Sequence, residues 1–149
     1  QSNSASIPAD HLGASTVRVA VGSGWDLDSP VTGSSPLVLA EISLNPTAPF
    51  PIATDHSELA VIALDGDVRA NDEAISSGQL ALLRTDVATT LTGSGAAIVL
   101  GGEPVGKRHI WWNFVNSDPD RIEQAKVDWT AQRFPTVPND HEPFVPLPA

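Results

Sequence analysis

The sequence predicts an all-β fold of sandwich or barrel type, with one α-helix near the C-terminus. Three observations carry this. Short apolar runs alternate with polar residues through most of the 149-residue chain. Gly, Pro and Asp-Gly turn signals separate them at the spacing of an antiparallel sandwich or barrel. Only one stretch, 119–132, combines a cap, a first-turn proline and an apolar stripe at helical spacing.

Residues 1–15 are rich in Ser and Ala and lack periodicity, and read as a linker. Val17, Val19 and Val21 alternate with Arg18 and Ala20, the period of a half-buried strand that Gly22 and Gly24 should stop. Residues 23–35 read as a polar loop with one anchor, Trp25. In 36–44, Val38, Ala40, Ile42 and Leu44 share one face, with Glu41 and Ser43 on the other. Pro46, Pro49 and Pro51 lack ladder donors, so the next stretch is an edge or irregular strand.

Residues 57–64 are apolar on both faces, as in a strand covered on both sides. Asp65-Gly66 suits a hairpin turn. Further short strands are expected at Asp67–Ala70, Ala74–Ser76, Gln79–Arg84, Val87–Leu91 and Ala96–Leu100. In the helix, Ser117 or Asp118 caps and Pro119 sits where its missing N–H costs nothing. Ile122, Ala125 and Trp129 share a face, so the helix should lie on the sheet with Trp129 largely buried. The tail from Phe134 has five prolines in sixteen residues and must be extended. Its apolar residues suit docking outside its own barrel, on another domain or a second chain.

Composition excludes several function classes. There is no cysteine, hence no disulfide or thiolate metal site. A net charge of −10 repels phosphate backbones and argues against direct nucleic-acid binding. No apolar run approaches the ~20 residues needed to span a bilayer. The chain contains no methionine and opens on Gln1, as expected of a segment from inside a longer protein or behind a tag remnant.

Three segments resemble the C-terminal domain of pirins, a family of two-domain cupins. They are Val17–Gly22, Leu59–Val68 with AVIALDGDV at its core, and Gly101–Phe134, which joins a Gly-Gly turn, Trp111-Trp112 and the helix ending in Arg133-Phe134. The ordered set spans about residues 16–134 and is more specific than any single hit. One departure is Trp112-Asn113-Phe114-Val115, where pirins usually place Gly-Pro-Phe-Val. The resemblance implies a cupin-type double-stranded β-helix, with 1–15 as the linker from a preceding domain and 135–149 as a Pro-rich tail. It implies that the metal, an iron-type divalent ion, belongs to an N-terminal cupin outside this chain. Some relatives oxidise flavonols such as quercetin with dioxygen; others act as redox-sensitive transcription cofactors. The expected role is a non-catalytic domain that supports the N-terminal cupin, in a cytoplasmic protein. The alternatives are a protein-interaction module or a barrel that binds a small apolar ligand.

A metal-binding cupin needs an HxH pair, a carboxylate and a further histidine. Counting back from Gly66, these positions fall near Ile52, Thr54 and Leu59, and the last near 84–91, which has no histidine. The chain should therefore have no catalytic, cofactor-binding or metal-ligating residues of its own. His56 and Glu58 are the one His/carboxylate pair spaced two residues apart, on one face if the segment is extended, and are a weak candidate polar site. His109 lies in a basic patch with Lys107 and Arg108; His11 and His141 lie near the ends. No GxSxG or Ser/His/acid spacing marks a nucleophile, and the Gly-rich stretches lack the lysine and helix start of a phosphate loop. Trp111 and Trp112 should fall on opposite sides of a strand, one of them into the barrel. With Phe114, Phe144 and Leu147 they are the candidate contacts to another domain or partner.

Overall fold

The computed structural model describes residues 7–52, 55–139 and 144–148. The chain forms two compact units, Gln1–Pro104 and Val105–Ala149.

The first unit contains β1 (Ala9–Leu12), β2 (Ser15–Gly24), β3 (Leu27–Asp28), β4 (Leu37–Leu44), β5 (Phe50–Pro51), β6 (Glu58–Ala63), β7 (Asp67–Ala70), β8 (Glu73–Ile75), β9 (Leu80–Leu83) and β10 (Thr90–Gly102). All pairings are antiparallel. One sheet runs β1-β2-β4-β10-β6-β9, while β5 and β7 pair with the first half of β10 and β8 pairs with β7. The period-2 reading explains the core between them. Val17, Val19, Val38, Ala40, Ile42, Val61, Ala63, Ala97 and Val99 are buried from the larger sheet, and Phe50, Val68, Ile75 and Leu91 from the smaller.

Strand β10 is the hinge of this design. Its second half pairs with β6 and its first half with β7, so 58–70 follows it as one long antiparallel arm bent at the middle. Asp65-Gly66 is therefore a corner within that arm and makes no hairpin. Gly93 and Gly95 do not separate two strands either; they are bend positions inside one. A Cβ on Gly93 would lie 1.7 Å from the Asp67 carbonyl oxygen, and φ there is +105°, so only glycine fits. The Asp65 carboxylate closes the corner by accepting the Ala96 N–H at 2.7 Å.

Other expectations also change. Ala9–Leu12, read as linker, pairs with Ser15–Arg18. Gly22 bends β2 without ending it; the strand continues to Gly24 and turns into β3 through Trp25 and Asp26, both at positive φ. Trp25 is the expected anchor: it is buried, and its indole N–H donates to the Pro51 carbonyl at 2.9 Å. Phe50, its ring 5.7 Å away, is fully buried in the proline-rich stretch where no core residue was expected.

The second unit contains the hairpin β11 (His109–Trp111) and β12 (Phe114–Asn116), followed by α1 (Pro119–Thr130). The Asp118 carboxylate accepts the Asp120 N–H at 2.9 Å and caps α1, as the Asp-Pro signal predicts. The helix contacts its own hairpin. Ile122 is buried, but Trp129 is only half-buried, contrary to expectation. Trp112 is not a strand residue: it occupies the hairpin turn at φ +49°, a left-handed position strained for a bulky side chain. The glycine that the resemblance places there would take it freely.

Candidate functional site

Pairing of β5 with the start of β10 brings two distant stretches together. The Ile52 N–H donates to the Thr89 carbonyl at 3.0 Å, joining the segment before β6 to the segment after β9. Between them lies a cavity of about 450 Å³, lined by Ile52, Asp55, His56, Ser57 and Leu59 on one side and by 84–89 on the other. The two regions in which cupin ligands were sought thus meet at one place.

Of the lining, Asp55 and His56 carry donor atoms that a metal could use, short of the three histidines and a carboxylate of a cupin centre. Ile52 and Leu59 offer no donor atom, and Thr54 lies outside the described residues. Arg84 donates from Nε and Nη2 to the two Asp86 carboxylate oxygens at 3.0 and 2.6 Å. That pairing holds the Asp86 carboxyl below its usual range and occupies it with a cation of its own. Among the described residues, no group of three or more His, Cys, Asp or Glu could hold a metal ion.

His56 does not pair with Glu58. Its Nδ1 lies 3.6 Å from Glu103, at the end of the unit just past β10. Glu103 accepts the Ser57 N–H at 3.0 Å and the Ser57 hydroxyl at 2.6 Å, and these bonds, with a smaller part from His56, hold its carboxyl below the ordinary glutamate range. Gly101 makes room: a Cβ there would press on Leu59, Val38 and the His56 ring, the last at 3.1 Å. Because the Ser57 hydroxyl donates to a carboxylate and not to His56, the trio is a tether for 55–57 and lacks the nucleophile–base bond of an acyl-transfer site. A 46-residue separation hid Glu103 from spacing arguments. The other described histidines form no site: His11 meets the Thr16 hydroxyl at 3.2 Å, and His109 lies opposite Asn116 in the hairpin. His141 falls outside the described residues.

Four of the five candidate contact residues gather with one another. Trp111, Trp112 and Phe114 surround the turn, with Trp112 and Phe114 edge-on to Trp129 at 5.1 and 6.2 Å. Phe134 stacks on Phe114 at 5.8 Å and Phe144 on Trp129 at 5.5 Å. The Trp129 indole N–H donates to the Val145 carbonyl at 2.8 Å, so the described part of the tail docks on this chain's own helix. The two tryptophans expected on opposite sides of a strand share one cluster, because the turn at Trp112 swings its ring back. Leu147 is half-buried. Lys126 lies 4.3 Å from the Trp111 ring centre, completing the cluster with a cation–π contact.

Residues 39–135 match the family described as the Pirin C-terminal cupin domain. The chain belongs to that family. This pirin C-terminal cupin domain is 36% identical over 147 residues to a "Pirin-like protein" of Caulobacter vibrioides, a match that takes in 97% of this chain and 51% of the relative. A crystal structure of quercetin 2,3-dioxygenase from Acinetobacter baumannii superposes with a TM-score of 0.81 at 23% identity, over 96% of this chain and 50% of that one. GK1651 from Geobacillus kaustophilus superposes with a TM-score of 0.60 at 19% identity, over 70% of this chain and 46% of that one. The pirin domain thus has the expected cupin-type β fold and spans about half the length of the curated relative it matches. None of its helices is long and apolar enough to cross a membrane, among the described residues.

Proposed function

We propose that this pirin C-terminal cupin is the metal-free, non-catalytic half of a cytoplasmic two-cupin protein, and that it supports an N-terminal cupin holding an iron-type divalent metal. In this reading the N-terminal half carries oxidoreductase activity of the quercetin 2,3-dioxygenase type. The observation that supports the reading is the cavity at Ile52, Leu59 and 84–89. It lies where the cupin ligands would converge, yet Ile52 and Leu59 stand at two of the ligand positions, 84–89 holds no histidine and Asp86 is already paired with Arg84, which leaves Asp55 and His56 as the remaining His or carboxylate side chains of its lining, short of three histidines and a carboxylate. A barrel with that lining contributes stability and surface to its neighbour and no redox centre.

The test is elemental analysis of this chain and of the full-length protein after dialysis, with a quercetin oxidation assay under dioxygen. We expect metal close to stoichiometric in the full-length protein alone, with turnover accompanying it. Near one equivalent of iron, nickel or zinc retained by the 149-residue chain would sink the reading.

A further inference from the structure

Tryptophan offers a flat apolar face and one N–H that can only donate. A half-buried indole therefore needs an acceptor beside an apolar neighbour, and Trp129 finds both in the chain's own tail. Its N–H donates to the Val145 carbonyl at 2.8 Å, and the Phe144 ring stacks on it at 5.5 Å. The seat is built without the tail: Trp112 from the hairpin turn, Phe114 from β12 and Phe134 from beyond α1 stand 5.1, 6.2 and 5.7 Å from the Trp129 ring. Its occupant has a distinct chemistry. Pro146 and Pro148 fix their own φ near −65°, and as residues that precede proline, Val145 and Leu147 are turned from helical to extended backbone. That is the polyproline II bias, in which carbonyls find no partner inside the segment and stay free to accept. Aromatic-lined grooves take proline-rich segments in this way.

We propose that this aromatic seat is a binding site for proline-rich segments, that residues 144–148 fill it in the resting chain, and that a proline-rich segment of another protein takes their place. The tail itself shows which chemistry the seat accepts. Two features make it displaceable. Its contacts are a ring face and a backbone carbonyl, and neither depends on the covalent link through 135–143. The contact is also shallow, since Phe144 stays 42% exposed and Val145 56%. A tether of that length holds the tail at an effective concentration of roughly millimolar, which a free segment must overcome. The tail thus acts as a competitor built into the chain. The site belongs to the second unit, so it stands or falls apart from the metal-free reading of the barrel.

Indole N–H NMR of the 149-residue chain tests this, with an acetylated peptide of the sequence of residues 143–149, PFVPLPA, as the probe. Phe144→Asp should free the tail and move the Trp129 resonance. The peptide should restore that resonance, and should bind the variant about ten-fold more tightly than it binds the parent chain. The Trp25 resonance reports the barrel through its bond to Pro51 and should stay in place. If it moves, Pro146→Gly combined with Pro148→Gly frees the tail without adding a charge, and the same recovery is expected. A peptide with its prolines replaced by alanine that restores the signal equally well overturns proline recognition. Equal binding to the parent chain and to the variant means that the tail does not fill the site, and binding to neither means that there is no site; each overturns the proposal. A Trp129 signal of the parent chain that shifts with concentration, alongside a dimer in sedimentation, assigns the seat to a second copy's tail and overturns it too.

Discussion

Buried side chains between β2 and β10 are mostly aliphatic and arrive in rows, whereas the hairpin, helix and tail gather six aromatic rings without fully burying one. The first arrangement comes from a ladder: once β4 is in register with β10, Ala40, Ile42, Ala97 and Val99 must share a face. The second has no ladder beyond three residue pairs. It depends on ring geometry around Trp129, on one indole hydrogen bond and on a stiff tail that loses little entropy when it docks. Aliphatic rows spread stability over many small contributions, while the aromatic cluster concentrates it in one side chain.

Substitutions can break or sharpen this contrast. Phe50→Ala should have the largest effect, about 3–5 kcal/mol in denaturant melts, because it empties a fully buried site beneath Trp25. Trp129→Ala should cost less, about 1–3 kcal/mol, since the ring is half-buried and loses mainly aromatic contacts. Hydrogen exchange should confine that loss to α1 and the hairpin. Equal losses from the two variants, spread over the whole chain, would erase the distinction drawn between the regions. Trp129→Phe isolates the indole hydrogen bond to Val145 and should cost about 0.5–1.5 kcal/mol, seen as faster proteolysis of the tail.

The smallest expected effect is the pH response of the Glu103 tether. Its carboxyl is held low by the Ser57 bonds, so the tether is at full strength above the ordinary glutamate value of about 4.3 and weakens as pH falls through the lowered one. The Ser57 amide, corrected for intrinsic exchange, should lose protection below that value, and Glu103→Gln should flatten the profile. A flat profile in the unmodified chain would mean that 55–57 is held by packing alone.

What the sequence disclosed follows the same division. The alternation of Val17 with Val19 and of Val38 through Leu44 is a local signal, and each of those faces is where the period puts it. The start of α1 was legible for the same reason, since Asp118 and Pro119 act within one turn. Phe50 was not, because three nearby prolines mask a two-residue strand too short to show a period. Gly93 and Gly95 looked like breaks because a glycine that bends a strand and one that ends it read alike. Ladder partners distant in sequence were equally hidden, and with them the meeting of 52–59 with 84–89. The absence of metal donors at Ile52 and Leu59 needed only the residue types.

Strand β10 also governs the order in which the domain can be made. It is the partner of β4, β5, β6 and β7, yet it is the last strand of its unit to leave the ribosome. At about 5–20 residues per second, β4 waits several seconds beside β2 with its other edge open. During that interval the apolar rows of β4 and β6 have no neighbour between them, and their protection in the cell falls to whatever holds a nascent chain. Closure is then a single late event, when residues 90–102 slot between two strands already synthesised.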